Sequence, residues 1–135
     1  MMNFTELYSV AEAERKNAYA PYSGFKVGAA LIAANEKGEE KLFTGCNVEN
    51  SSYGACICAE RTAAVKAVSE GYMKFRSVAV AGGTDKPRDN VMPCGICRQF
   101  LSEFASDDMS VTLKNGDSVV VWGFRELFAE PFTLK

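Results

Sequence analysis

The run Val27-Gly28-Ala29-Ala30-Leu31-Ile32 is nearly continuous in apolar residues, within a stretch, 25–34, that reads as a strand. An alternating strand can face water on one side, whereas a continuous one suits a position covered on both faces. That narrows the choice of fold, because each face then needs other elements packed on it. Residues 4–19 offer one cover: Phe4, Leu7, Tyr8 and Ala11 follow a helical apolar pattern that ends near Pro21. The polar stretch Asn35-Glu36-Lys37-Gly38-Glu39-Glu40 turns the chain into a second strand over 42–48.

A loop rich in Asn, Ser and Gly, 49–54, leads into a helix over 59–70. Residues 77–81 alternate with a period of two and predict a third strand, 82–92 reads as a turn-rich loop, and Pro93 and Cys94 open a helix running to about residue 105. Two further strands, 110–113 and 118–122, flank Asn115-Gly116, a hairpin signal that makes this pair antiparallel. A helical turn around 124–128 follows. Strands alternating with helices predict an α/β layered domain with one mixed sheet, and 135 residues suit one domain spanning 1–135. The helices at 59 and 94 both follow strands or strand loops, so their N-termini are expected close together at one edge of the sheet.

The chain contains no histidine. That excludes Ser-His and Cys-His hydrolytic couples and any zinc site that needs nitrogen ligands. What remains for metal chemistry is thiolate, and the cysteines stand in two motifs, Cys58-Ala59-Glu60 and Pro93-Cys94-Gly95-Ile96-Cys97. A net charge of -2 and scattered Lys and Arg residues argue against a nucleic-acid surface, which usually shows a basic stripe. Nothing approaches a membrane span, and Met-Met-Asn-Phe-Thr-Glu lacks the basic and apolar regions of a signal peptide. A cytoplasmic location is therefore expected, where five cysteines point to metal binding or chemistry rather than disulfides.

Cys94 and Cys97 are three apart, which puts their side chains on one face of a helical first turn. Cys58 and Glu60 are two apart and diverge on an ideal helix, so Cys58 belongs at or just before a helix start with Glu60 in its first turn. There the backbone N–H groups and the helix dipole favour thiolate. Three thiolates leave the fourth position of tetrahedral zinc open to water, and Glu60 can move that water's protons. Arg61 and Arg98 each follow a motif directly and can offset the excess negative charge; Arg61 is favoured by its place beside Cys58, the alternative being two surface arginines. A closed structural site of Cys56, Cys58, Cys94 and Cys97 is the main competitor, and a redox pair of Cys94 and Cys97 is another. The Cys-x-Cys bite of 56 and 58 is tighter than usual, and a structural site has no need of Glu60, which favours three ligands with Cys46 and Cys56 as free thiols.

These motifs fit the zinc deaminase signature in its all-cysteine version. The chain resembles the small homotetrameric, zinc-dependent cytidine deaminases of the cytidine/deoxycytidylate deaminase superfamily over nearly its whole length. The matching blocks are Ala20-Pro21-Tyr22-Ser23-Gly24-Phe25-Lys26-Val27-Gly28-Ala29-Ala30, Gly45-Cys46-Asn47-Val48-Glu49-Asn50-Ser51-Ser52-Tyr53-Gly54, Ile57-Cys58-Ala59-Glu60-Arg61-Thr62-Ala63 and Pro93-Cys94-Gly95-Ile96-Cys97-Arg98-Gln99. The resemblance implies a three-layer α-β-α sandwich with a mixed five-stranded sheet, one Zn2+ per chain on Cys58, Cys94 and Cys97, and Glu60 as the proton-shuttling catalytic residue. It also implies that Asn47 and Glu49 hydrogen-bond the ribose 3′-hydroxyl, Phe25 packs on the pyrimidine, the Ala59 backbone reads the base edge, and Tyr53 and Gly54 shape the loop over the site. Phe132 is implied to reach into the pocket of a neighbouring subunit of a homotetramer. Read without the resemblance, Asn47 and Glu49 are strand-end residues, Phe25 is core and Phe132 is a tail anchor.

The reaction implied is hydrolytic deamination of cytidine and 2′-deoxycytidine to uridine and 2′-deoxyuridine with release of ammonia, a step of pyrimidine salvage. Free nucleoside is the expected substrate, with no nucleic-acid or membrane partner. The competing readings are a deaminase of a cytosine-like nucleoside analogue and a non-catalytic module stabilised by a four-cysteine zinc site.

Overall fold

Successive residues of a strand point to opposite faces, and both faces of the apolar run are covered. The computed structural model describes residues 2–135. In chain order the elements are helix α1 (Phe4–Glu14) with a 3-10 turn at Arg15–Asn17, strands β1 (Lys26–Ala34) and β2 (Glu40–Cys46), a 3-10 turn at Tyr53–Ala55, helix α2 (Ala59–Ser69), strand β3 (Lys74–Gly83), helix α3 (Gly95–Ser102), strands β4 (Ala105–Asn115) and β5 (Ser118–Gly123), and helix α4 (Phe124–Leu127). The sheet order is β2-β1-β3-β4-β5. The β3–β4 pair is parallel and the other three pairs are antiparallel, so the sheet is mixed as expected.

Ala29, Leu31 and Ala33 of β1 enter a core shared with Ala63 and Ala67 of α2 and Leu101 of α3, whereas Ala30 and Ile32 pack with Leu7, Tyr8 and Ala11 of α1. The three layers are therefore α1, the sheet, and α2 with α3 and α4. Two glycines set the spacing between them. A Cβ on Gly28 of β1 would lie 2.0 Å from the Ala11 carbonyl oxygen of α1, and one on Gly45 of β2 would lie 2.5 Å from both the Ala59 oxygen and the Ala63 nitrogen of α2. With Ala59, Ala63, Ala64 and Ala67 as the apolar residues it buries, α2 lies flush against the sheet.

Several boundaries differ from the sequence reading, each for a tertiary reason. The first helix ends at Glu14 rather than near Tyr19, because the Arg15 side chain donates to the carbonyls of Lys26, Gly83 and Asp85 and ties the chain down across β1 and β3. Helix α3 stops at Ser102 rather than 105, and the Phe104 carbonyl accepts from Phe75 N–H at the start of β3. Strands β3 and β4 extend beyond 77–81 and 110–113, because pairing carries them outward: Phe75 pairs with Ala105, Gly82 and Gly83 pair with Val27 and Lys26 of β1, and Lys114 and Asn115 pair with Val119 and Ser118 of β5. The final hairpin pairs Asn115 with Ser118, so its two loop residues are Gly116 and Asp117, with Gly116 at φ +65°. Positive φ at the first loop residue is the pattern glycine allows there.

Candidate active site

Both cysteine motifs sit at helix starts. Cys58 is the N-cap of α2 and Cys94 the N-cap of α3, both in extended conformation, and neither side chain caps its own helix. The first-turn N–H groups are thus left without intrahelical partners, where a negative group is favoured. The two starts meet not at an outer edge, as the sequence suggested, but over the middle strands, with Val27 of β1 and Val80 of β3 lining the same cleft. Cys58 Sγ lies 3.7 Å from Cys94 Sγ, and the sulfurs of Cys58, Cys94 and Cys97 all fall within 4.8 Å of one another.

That donor set fits zinc. Two sulfurs each ~2.3 Å from a tetrahedral ion stand about 3.8 Å apart, close to the Cys58–Cys94 separation. Among the described residues, this trio is the only group of three or more potential ligands so placed, and Cys56 is outside it. The Cys56 sulfur instead accepts from Asn50 N–H at 3.3 Å and donates to the Asn50 carbonyl at 3.7 Å, closing the 50–56 loop on itself. All five cysteines are free thiols in the structure.

The charges around the trio are matched. Arg61 Nη2 donates to Cys58 Sγ at 3.6 Å, while Arg98 turns away, its Nε to the Pro93 carbonyl and its Nη1 to the Leu127 carbonyl. Arg61 is therefore the arginine that serves the sulfurs. Its buried Nε has no partner, a donor left over beside a site built for negative charge. Hydrogen bonding from Cys97, then from Arg61 and Cys94, holds the Cys58 thiol well below its ordinary value, whereas Cys97 is pushed up as the donor of that pair. Glu60, in the first turn of α2, is 4% exposed, and burial pushes its carboxyl up to about 7.

Cys58, Cys94 and Glu60 line a cleft of about 650 Å³, within the size range of small-molecule sites, and the buried Cys97 completes the trio with its sulfur within 4.8 Å of the other two. Phe25, Asn47, Glu49, Tyr53 and Ala59 line the same cleft, so it gathers every substrate residue expected from sequence except Phe132. Phe132 is 68% exposed, and its carbonyl accepts from Gln99 Nε2 on α3. Asn47 is committed in part to the backbone: its Oδ1 accepts from Val27 N–H and its Nδ2 donates to the Phe25 carbonyl, so it pairs with β1 as a strand residue would. Glu49 accepts from Tyr22 N–H, Ser23 N–H and the Ser23 hydroxyl, and hydrogen bonding from Ser23 keeps its carboxyl below the usual range. Ser23 escaped the sequence reading, because a serine before a glycine reads as an ordinary turn residue. Tyr22, Tyr53 and Ile96 form an apolar, exposed rim to the cleft.

Comparison with known proteins agrees with this geometry. Residues 1–113 match the family described as the cytidine and deoxycytidylate deaminase zinc-binding region. The chain is 46% identical over 114 residues to a protein named cytidine deaminase from Sporosarcina psychrophila, covering 84% of this chain and 79% of that one. It is 50% identical over 106 residues to a probable cytidine deaminase from Dictyostelium discoideum, covering 76% and 68%. The crystal structure of a cytidine deaminase from Burkholderia pseudomallei superposes with a TM-score of 0.82 at 45% identity, over 97% of this chain and all of the other.

Proposed function

The chain belongs to the cytidine and deoxycytidylate deaminase zinc-binding family, and from that premise we propose that it deaminates cytidine and 2′-deoxycytidine hydrolytically, giving uridine or 2′-deoxyuridine and ammonia. The observation that carries this is the pairing of three convergent sulfurs with a buried carboxyl that lines a nucleoside-sized cleft. Cys58, Cys94 and Cys97 would hold one zinc ion per chain. When bound, zinc with three protein ligands supplies an open position whose water is acidified from about 15.7 towards 7.

Glu60 does the proton work. A carboxyl whose pKa is raised to about 7 can both take and return a proton near neutral pH. It accepts a proton from the attacking water, delivers it to N3 of the cytosine ring, and carries a second to the amine leaving C4. Burial keeps bulk water from competing for that proton. Arg61 offsets the negative charge of the thiolates by donating to Cys58. Ala59, at the start of α2, offers backbone groups to the base edge, and Phe25 faces the pyrimidine across the cleft. Glu49, held ionised, and Asn47, with one N–H to spare, take the ribose 3′-hydroxyl, while Tyr53 covers the nucleoside.

An ionised Glu49 at the ribose repels a 3′-phosphate, so free nucleoside rather than polynucleotide is the substrate. The residues 1–135 act as one domain. In a homotetramer, Phe132 completes a neighbour's pocket; the exposed apolar rim of Tyr22, Tyr53 and Ile96 supports burial of the cleft mouth by another copy. A cytoplasmic setting agrees with five unpaired thiols, and no helix among the described residues is long and apolar enough to cross a membrane.

The direct test follows the ultraviolet absorbance of cytidine with purified protein, before and after a chelator strips the metal and zinc is restored. Conversion to uridine that disappears on stripping and returns with zinc is the expected result. A protein that holds one zinc per chain yet never converts cytidine or deoxycytidine would overturn the proposal. Light scattering behind size exclusion tests the tetramer.

A further inference from the structure

Resting on the nucleoside-binding reading above, we propose that Ser23 is a positioning residue that sets the separation between the ribose and base subsites. Its one hydroxyl is shared between them. The O–H donates to Glu49 Oε2, and the oxygen accepts from the Phe25 backbone N–H at 3.0 Å. The second contact is a local serine turn that fixes the backbone just before Phe25. Gly24, between them, sits at φ +70°, and its N–H donates to the Ala20 carbonyl at 2.9 Å. The turn is therefore pinned at both ends.

Phe25 has little freedom apart from this turn. Its ring lies against Gly82, where an added Cβ would come within 3.0 Å of Phe25 Cε2. Its carbonyl is held by Asn47 Nδ2 at 2.8 Å. Glu49 is anchored through its backbone, whose N–H donates to the Tyr19 carbonyl at 2.8 Å, but its carboxylate reaches out from the loop after β2 and depends on side-chain bonds for its place. Its Oε1 takes the Tyr22 and Ser23 N–H groups at 2.9 and 3.2 Å, and Oε2 has the Ser23 hydroxyl as its protein partner. With that hydroxyl removed, Oε2 loses the contact that registers it to the aromatic wall. The carboxylate then keeps only the Oε1 bonds to the Tyr22 and Ser23 N–H groups, and Oε2 is left without a fixed position.

Steady-state kinetics and equilibrium binding on the zinc-loaded protein test this. Ser23→Ala should raise KM for cytidine about tenfold, as expected for loss of one hydrogen bond to a charged group, with kcat within about threefold. Uridine, the product, should bind more weakly by a similar factor, and zinc should remain at one per chain. With 3′-deoxycytidine, which has no 3′-hydroxyl for Glu49 to grip, the substitution should move KM by less than about threefold. Ser23→Thr, which restores the hydroxyl, should bring cytidine back to wild-type behaviour. Equal KM increases for both nucleosides, a fall in kcat alone, or no change would each overturn the assignment. If wild-type protein binds uridine but converts no cytidine, the reaction reading fails and the binding comparison still decides Ser23. If it binds neither nucleoside, both fall.

Discussion

Two glutamates eleven positions apart in the chain line one cleft in opposite states. Glu60 lies in the first turn of α2, 4% exposed, and burial lifts its carboxyl to about 7. Glu49 lies on a loop open to water, and hydrogen bonds from Ser23 and Tyr22 hold its carboxyl below the usual range. The same side chain is thus poised to exchange a proton near neutral pH in one place and held ionised in the other. Desolvation disfavours charge, and hydrogen bonds to a carboxylate favour it. The contrast extends to the backbone, since Glu60 stands on a helix pressed against a sheet, and Glu49 on a loop whose carboxylate is held by two backbone N–H groups and one hydroxyl of residues 22 and 23.

Replacing the carrier tests the contrast most severely. Glu60→Gln should lower turnover by about a thousandfold or more, since acid-base assistance is worth ~10²–10⁴, while zinc stays at one per chain by metal analysis. A variant that keeps substantial activity would show that Glu60 is not the carrier. Next in size is the support beneath it. Gly45→Ala puts a Cβ 2.5 Å from the Ala59 oxygen and Ala63 nitrogen, both backbone atoms, so α2 must move. Overpacking of this kind costs about 2–3 kcal/mol, readable in denaturant midpoints, and turnover should fall with it because Glu60 rides on α2. Undiminished stability would mean that α2 is not held flush.

Neutralising the anion should act differently. Glu49→Gln keeps an oxygen for the Tyr22 and Ser23 amides but removes the charge, so KM for cytidine should rise about tenfold with kcat changing less than about threefold. A collapse in kcat would instead place Glu49 in the chemistry. The smallest effect belongs to Cys56→Ser. Its sulfur bonds only within the 50–56 loop, and a hydroxyl can make the same two bonds, so stability should change by less than about 0.5 kcal/mol. Zinc content and activity should persist; loss of metal would return Cys56 to the coordination shell.

The cysteine motifs with Glu60 were far more legible in the sequence than the surroundings of Asn47 and Glu49. The interval from Cys58 to Glu60 cannot lie on one helical face, which forces Cys58 to the cap, and the structure has it there. Cys94 and Cys97 were likewise readable as a first-turn pair, with Cys94 at the cap rather than inside the helix. Helical spacing is local physics, so it survives folding. Asn47 shows the opposite case: that it bonds to the backbone of Phe25 and Val27 depends on β1 passing beside it. Ser23 depends on Glu49, a residue more than twenty positions away, and has no local signature beyond a turn. The choice of Arg61 over Arg98 was suggested by adjacency, but it was decided by Pro93 and Leu127 drawing Arg98 elsewhere.

The amino-acid sequence by itself determined the ligand chemistry, because a chain without histidine leaves its spaced cysteine motifs as the donors best matched to zinc, and the layered class, because a continuously apolar strand needs cover on both faces. Tertiary structure alone decided which carboxyl is buried, where the two helix starts meet, and which polar groups are left to face a substrate. Those outcomes turn on solvent exclusion and on bonds between distant segments, and neither exists until β1, β2 and α2 have closed on one another.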